Sequence, residues 1–214
     1  ADSRNQRTDL SLVFYQLAAS LKPEHEFAWT MIAGLYEQFH MLPKAIAALG
    51  RIGPNSPLYW QAKLRSAALE AQEDRFDEAV ARLRAMVAEK PDRIDAALTL
   101  ADLLRSKERY ADAVQAYDTA IDRIRNVEER HWIVFFGRGI VLERTKQWPK
   151  AEADMKKALE LSPEQPHVLN YLGYSWIDQG LHLDEGMKML QRATELRPDD
   201  GAITDSVGWA FYRL

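Results

Sequence analysis

The chain has 214 residues, 47% hydrophobic and 28% charged, enough to fill the core of one large domain or an elongated array. Its net charge of -4, with both signs interspersed and no polybasic run, argues against nucleic acid, whose phosphates require concentrated Lys and Arg. The absence of cysteine removes disulfide frameworks, thiol nucleophiles and cysteine-based zinc sites together, and leaves the redox compartment open.

The first predicted element is a helix over residues 8–22, TDLSLVFYQLAASLK, closed by Pro23. The preceding ADSRNQRTDLS has no apolar signal-peptide core. A helix pair follows over 25–57. In its first half Trp29, Ile32, Ala33 and Tyr36 recur at the spacing of one helical face, and in its second half Ala45, Leu49 and Ile52 do the same. Further pairs are predicted over 58–91, 92–129, 130–163 and 164–198. In the fourth pair the apolar run Trp132 to Leu142 is interrupted by Arg138 and falls short of the ~20 residues that span a bilayer, so it reads as a buried helix. A single helix over 199–214, containing ITDSVGWAFYRL, completes the series.

The elements repeat. Pro23, Pro57 and Pro91 are 34 apart, and Pro163 and Pro198 are 35 apart. Ala33, Ala67, Ala101, Gly139, Gly173 and Gly208 form a ladder with intervals of 34, 34, 38, 34 and 35. Ser11, Ala45, Ala79, Ala113, Ala151 and Gly186 form a second ladder in step with it. Small residues in register let two helix backbones approach, and Gly186 allows the closest approach at roughly 1 kcal/mol of helix propensity. Pro43 and Pro149 stand in first turns, where a missing N–H costs nothing. The 38-residue interval adds about one helical turn, and AIDRIRNVEERHW is predicted to extend a helix. Residues 8–22 read as a second helix without its first, and 199–214 as a first helix without its second. The expectation is a fragment of a longer array, or open ends covered by another copy, with Val207, Phe211 and Leu214 facing solvent.

Reactive clusters are absent from the pattern. GYSWI at 173–177 lacks the final glycine of a nucleophile elbow and lies within a predicted helix, which places Ser175 on a helical surface. The histidines at 25, 40, 131, 167 and 182 show no metal-binding spacing, and no glycine-rich phosphate loop occurs. The chain is therefore read as non-catalytic, without cofactor or metal.

WTMIAGLY, YLGYSW and SVGWAF, with Ala151, Met155, Ala158 and Pro163, resemble the tetratricopeptide repeat family, whose signature runs W-x2-L-G-x2-Y and then A-x3-F, A and P. The resemblance implies an all-α, right-handed superhelical solenoid of antiparallel helix pairs, with five complete repeats and a half repeat at each end, over residues 1–214. It also implies that first helices line an inner face that holds a protein or peptide partner. Transferred to this chain, that face includes Phe136, Glu143, Arg144, Asn170, Tyr171, Tyr174, Asp178, Asp205, Trp209 and Tyr212. Trp29, Tyr36, Trp176 and Phe211 fall at packing positions instead.

Residues 161–214 carry eight acidic groups against four basic ones, which suggests a segment with apolar and basic residues received by Asp178, Asp205 and the aromatic side chains. Of the positions by which some members of the family grip a carboxyl terminus, only Arg65 is matched, so acidic chaperone tails are disfavoured. The runs GPNSPLYWQAKLR and NYLGYSWIDQG to the end are similar to Gram-negative envelope members of the family, lipoproteins that act as adaptors for carboxyl-terminal processing proteases. That resemblance implies a periplasmic or outer-membrane-attached location, with the cytoplasm as the alternative, and a protease or its substrate as partner. Self-assembly through the open ends, and service as the accessory array of an enzyme, are the alternative functions.

Overall fold

The computed structural model describes the backbone of residues 2–213 and the side chains of residues 10–213. These residues form twelve α-helices: α1 (Asp2–Leu21), α2 (Glu26–Gln38), α3 (Leu42–Leu49), α4 (Tyr59–Gln72), α5 (Phe76–Glu89), α6 (Asp95–Ser106), α7 (Tyr110–Asp122), α8 (Trp132–Arg144), α9 (Trp148–Leu161), α10 (Pro166–Asp178), α11 (Leu183–Leu196) and α12 (Gly201–Arg213). No strand occurs among the described residues, and none of their helices is long and apolar enough to cross a membrane. The chain divides into two compact units, Ala1–Lys107 with α1 to α6 and Glu108–Leu214 with α7 to α12.

In the first unit α2 packs on α3 and α4 on α5. Ala33 and Ala45 are fully buried, as close helix contact requires, and share a core with Ile32, Leu49 and Ile52. The helix α3 stops at Leu49, where Gly50 caps it, so Ile52 reaches the core from the connection that follows and not from the helix. Glu70 is buried and receives two hydrogen bonds from Arg82 of the facing helix, at 2.9 and 2.6 Å. The outer side of α1 carries Leu10, Val13, Phe14, Leu17 and Leu21, all more than half exposed.

The second unit is built in the same way from α8 on α9 and α10 on α11, with α7 and α12 flanking them. A Cβ added to Gly173 would lie 2.8 Å from the Gly186 carbonyl oxygen, and one on Gly186 would lie 3.0 Å from the Gly173 carbonyl oxygen. Backbone meets backbone there, so no side-chain rearrangement could make room. Gly137, which belongs to neither ladder, leaves room for the buried ring of Tyr117. Arg138 bridges three helices, donating two hydrogen bonds to Asp154 on α9 at 2.7 and 2.8 Å and one to Asp118 on α7 at 2.8 Å.

His40, Asp74, Glu108, Lys146 and Gly180 all have left-handed backbones, with φ between 55° and 70°. Each sits just past a first helix. Hydrogen bonds from Met41 N to Tyr36 O, Arg75 N to Glu70 O, Gln147 N to Leu142 O and Leu181 N to Trp176 O, at 2.8 to 2.9 Å, complete the six-to-one closure that reverses the chain into the second helix.

Two expectations are corrected. The four additional residues do not lengthen a helix: α7 ends at Asp122, and the excess is taken up by a loop and a short 3-10 turn, Glu129–His131. The buried ring of His131 accepts a hydrogen bond from the Glu128 amide at 2.8 Å and holds that turn, so α8 begins in phase. Val207 is half-buried against Ile177 and Leu190, whereas Phe211 is 67% exposed. Leu214 lies outside the described residues.

Candidate functional site

In the second unit the ends of α8 and α10 enclose an open groove of 490 Å³. The six-to-one turn at Lys146 brings Glu143, Arg144 and Lys146 to one wall, Trp148 follows at the start of α9, and α10 supplies Tyr171, Tyr174 and Asp178 one helical turn apart.

Tyr171 joins the walls. Its hydroxyl donates to Glu143 Oε2 at 3.1 Å, and its ring meets Phe136 edge-on at 5.9 Å. Burial, followed by the charge and the hydrogen bond of Glu143, pushes the Tyr171 phenol up to about 12, against the pull of Arg144. Arg144, held at a raised value first by Tyr171 and then by Glu143, stays cationic. The buried indole N–H of Trp148 and the buried amide oxygen of Asn170 have no hydrogen-bond partner among the described residues.

On the other side, Arg213 of α12 donates to the Asp178 carbonyl oxygen at 2.7 Å while lying 5.8 Å from the centre of the Trp209 ring. Trp209 and Tyr212 are themselves paired at 5.6 Å. The exposures of Tyr174, Trp209 and Tyr212 are 37%, 36% and 80%, so all three offer ring surface to solvent.

The structure thus gathers Tyr171, Tyr174 and Asp178 into one groove. Asp205, Trp209 and Tyr212 form an exposed patch on α12, tied to Asp178 through Arg213. Phe136 and Asn170 are half-buried, Phe136 supporting the Tyr171 ring, and neither lines the opening. Lys146, Trp148 and Gln179 line it without having been signalled by the inner-face register, because two of them belong to turns. Ser175 corrects another expectation. It is 7% exposed, bordering the groove between Tyr174 and Asp178, and its carbonyl accepts from Gln179 Nε2 at 3.1 Å. Phe211, placed at a packing position, is open to solvent because no later helix covers that side among the described residues.

Charge divides the site. At the α8 end Lys146 stands beside Arg144, which is paired with Glu143 at 3.7 Å, and Asp178 and Asp205 stand at the α10–α12 end. No ion pair engages the side chains of Lys146 or Asp178 among the described residues. The groove therefore offers aromatic surface between a cationic and an anionic end. Among the described residues no group of His, Asp and Glu is arranged to hold a metal ion.

The family model described as tetratricopeptide repeat matches residues 64–128, 98–166 and 136–201. A TPR repeat-containing protein of Pseudomonas aeruginosa is 28% identical over 171 residues, which cover 79% of this chain and 28% of that protein. A probable UDP-N-acetylglucosamine–peptide N-acetylglucosaminyltransferase, SPINDLY, of Hordeum vulgare is 32% identical over 111 residues, 51% of this chain and 11% of that protein. The chain spans less than a third of the length of either curated relative.

Among solved structures, the APC/C hetero-tetramer Cut9-Hcn1 superposes with a TM-score of 0.69 at 14% identity, over 96% of this chain and 40% of that one. YrrB, described as a TPR protein with an unusual peptide-binding site, superposes with a TM-score of 0.62 at 15% identity, over 90% and 96%. At such identities the likeness is one of fold. Matches spanning 64–201, well over half of the chain, show that the chain belongs to the tetratricopeptide repeat family.

Proposed function

We propose that this chain is a non-catalytic scaffold that holds an extended segment of another protein across α8, α10 and α12. The observation that carries the reading is the groove itself: Tyr171 and Tyr174 stand between unpaired Lys146 and Asp178, and the Trp209–Tyr212 pair continues the aromatic surface. Phenol and indole rings supply apolar area with polar edges, a composition suited to an interface. Asp178 and Asp205 select a basic residue at one end of the segment, and Arg144 with Lys146 select an acidic residue at the other. The peptide-binding site named for YrrB agrees with this use of the fold. Ordering a flexible segment offsets much of the contact energy, so an affinity on the order of micromolar is expected.

The resemblance to envelope adaptors leads us to place the protein in the periplasm or attached to the outer membrane. The partner is then a carboxyl-terminal processing protease or its substrate. A second reading, an accessory array attached to a catalytic domain, is favoured by the match to SPINDLY and is tested by the full-length reading frame.

The groove is tested by capture from envelope extract with the parent chain and a Tyr174→Ala/Trp209→Ala variant, followed by titration of the segment identified. Both side chains are exposed, so the variant keeps its fold. A loss of about tenfold or more in affinity, ~1.4 kcal/mol, is expected. Undiminished affinity would remove the groove from the interaction.

A further inference from the structure

The first unit has a second depression of 440 Å³, on the side formed by the second helices α1 and α3, away from the inner-face register. Buried Ile32 and Ala48 form its floor, half-buried Trp29 and Tyr36 its sides, and exposed Lys44 and Arg51 its rim. Lys44 Nζ lies 5.6 Å from the Tyr36 ring centre, and the Arg51 guanidinium lies 5.7 Å from that of Trp29. Among the described residues no acidic side chain lines the depression.

Lys44 and Arg51, like Lys90 over Trp60 and Arg213 over Trp209, have no carboxylate partner among the described residues, but only Lys44 and Arg51 share one depression. Lys63, over Tyr59 and Trp60, is paired with Glu89 at 2.6 Å, and Lys156, over Trp176, with Glu152 at 2.8 Å. Lys44 and Arg51 have no ion pair among the described residues. Packing does not require them either. One and two repeats later the equivalent positions hold Glu78 with Ala85 and Asp112 with Thr119. In the fourth repeat Lys150 and Lys157 occupy them, but Lys157 is paired with Glu160 at 2.8 Å and Lys150 donates to Gln147 at 3.0 Å.

We propose that this depression is a second binding site, for an acidic segment of a partner protein. An apolar side chain of the segment seats on Ile32 and Ala48 between the two aromatic rings, and flanking carboxylates reach Lys44 and Arg51. Lys44 lies in the first turn of α3 and Arg51 just past its end, a separation of about 10 Å at 1.5 Å per residue. An extended chain covers that distance in about three residues. The segment therefore carries two acidic residues three positions apart with an apolar residue between them. Charge complementarity selects it over a basic segment.

The test uses the whole chain and three probes: the capped peptide Glu-Leu-Leu-Glu, the capped peptide Lys-Leu-Leu-Lys, and inorganic phosphate. The Trp29 indole N–H, which donates to the Pro23 carbonyl oxygen at 2.7 Å, is followed by NMR. A saturable shift with the glutamate peptide is expected, with at least tenfold weaker binding in Lys44→Glu/Arg51→Glu and an intermediate loss in Lys44→Gln/Arg51→Gln. The Tyr174→Ala/Trp209→Ala variant should bind this peptide unchanged, which separates the site from the groove of the second unit. Equal affinity in the charge-reversed variant, or an equal response to the lysine peptide, would overturn the proposal. Phosphate matching the glutamate peptide would overturn it in favour of a simple anion site.

Discussion

Tyr171 shows how one side chain can be both structural and functional. Its ring rests on Phe136 and its hydroxyl is held by Glu143, yet one face borders the groove. Burial disfavours the phenolate first, and the neighbouring carboxylate disfavours it further, so the folded group titrates at about 12 against an ordinary 10.0. The folded chain therefore keeps a proton that the unfolded chain releases between those values. This stabilisation is complete below pH 10 and is lost as pH rises towards 12. Glu143→Gln removes the charge and leaves the burial. Its Tyr171 midpoint should fall below 12 but stay above 10, read by phenolate absorbance as a difference from Tyr171→Phe. An unchanged midpoint would mean that Glu143 has no part in holding the proton.

Between helices, the same residue type has opposite consequences according to what faces it. Gly173 meets the carbonyl of Gly186, whereas Gly208, 35 residues later in the same ladder, has nothing within 4 Å of an added Cβ. Gly173→Ala should destabilise the chain by about 1–3 kcal/mol through overpacking, and Gly208→Ala should stabilise α12 by about 0.5–1 kcal/mol through helix propensity. Denaturant unfolding checks the first, and amide exchange in α12 the second. Destabilisation by Gly208→Ala would mean that a hidden neighbour occupies that space.

The ladder itself is legible in the sequence because close packing admits only small residues, and a fixed period reveals them. What faces each rung is not legible. Nor is the burial of Ser175, since a small polar side chain carries no apolar signal. The left-handed positions are hidden for a related reason: four of the five are His, Asp, Glu or Lys, and only Gly180 is the residue that such a backbone favours. Lys146 and Trp148 reach the groove through that turn, so the inner-face register does not reveal them. The residues after Asp122 suit a helix by composition, and the cap between Glu128 and His131 turns them into a loop instead.

Across the whole molecule, stability in a repeat array is the sum of each repeat's own stability and its interfaces with adjacent repeats, so a defect should be felt locally. Leu83 tests this. It is fully buried in α5, within the first compact unit, and Leu83→Ala leaves a cavity worth ~2–5 kcal/mol. If the repeats behave as neighbours in a row, amide protection should fall in α5 and in α4 and α6, which pack on it or next to it, while α10 and α11 retain theirs. A groove lined from α8, α9 and α10 would then keep its affinity in a chain whose first unit is weakened, and the two proposed sites could be lost independently. Equal loss of protection in all helices would instead make the molecule one cooperative body, in which any core defect in the first unit also weakens binding in the second.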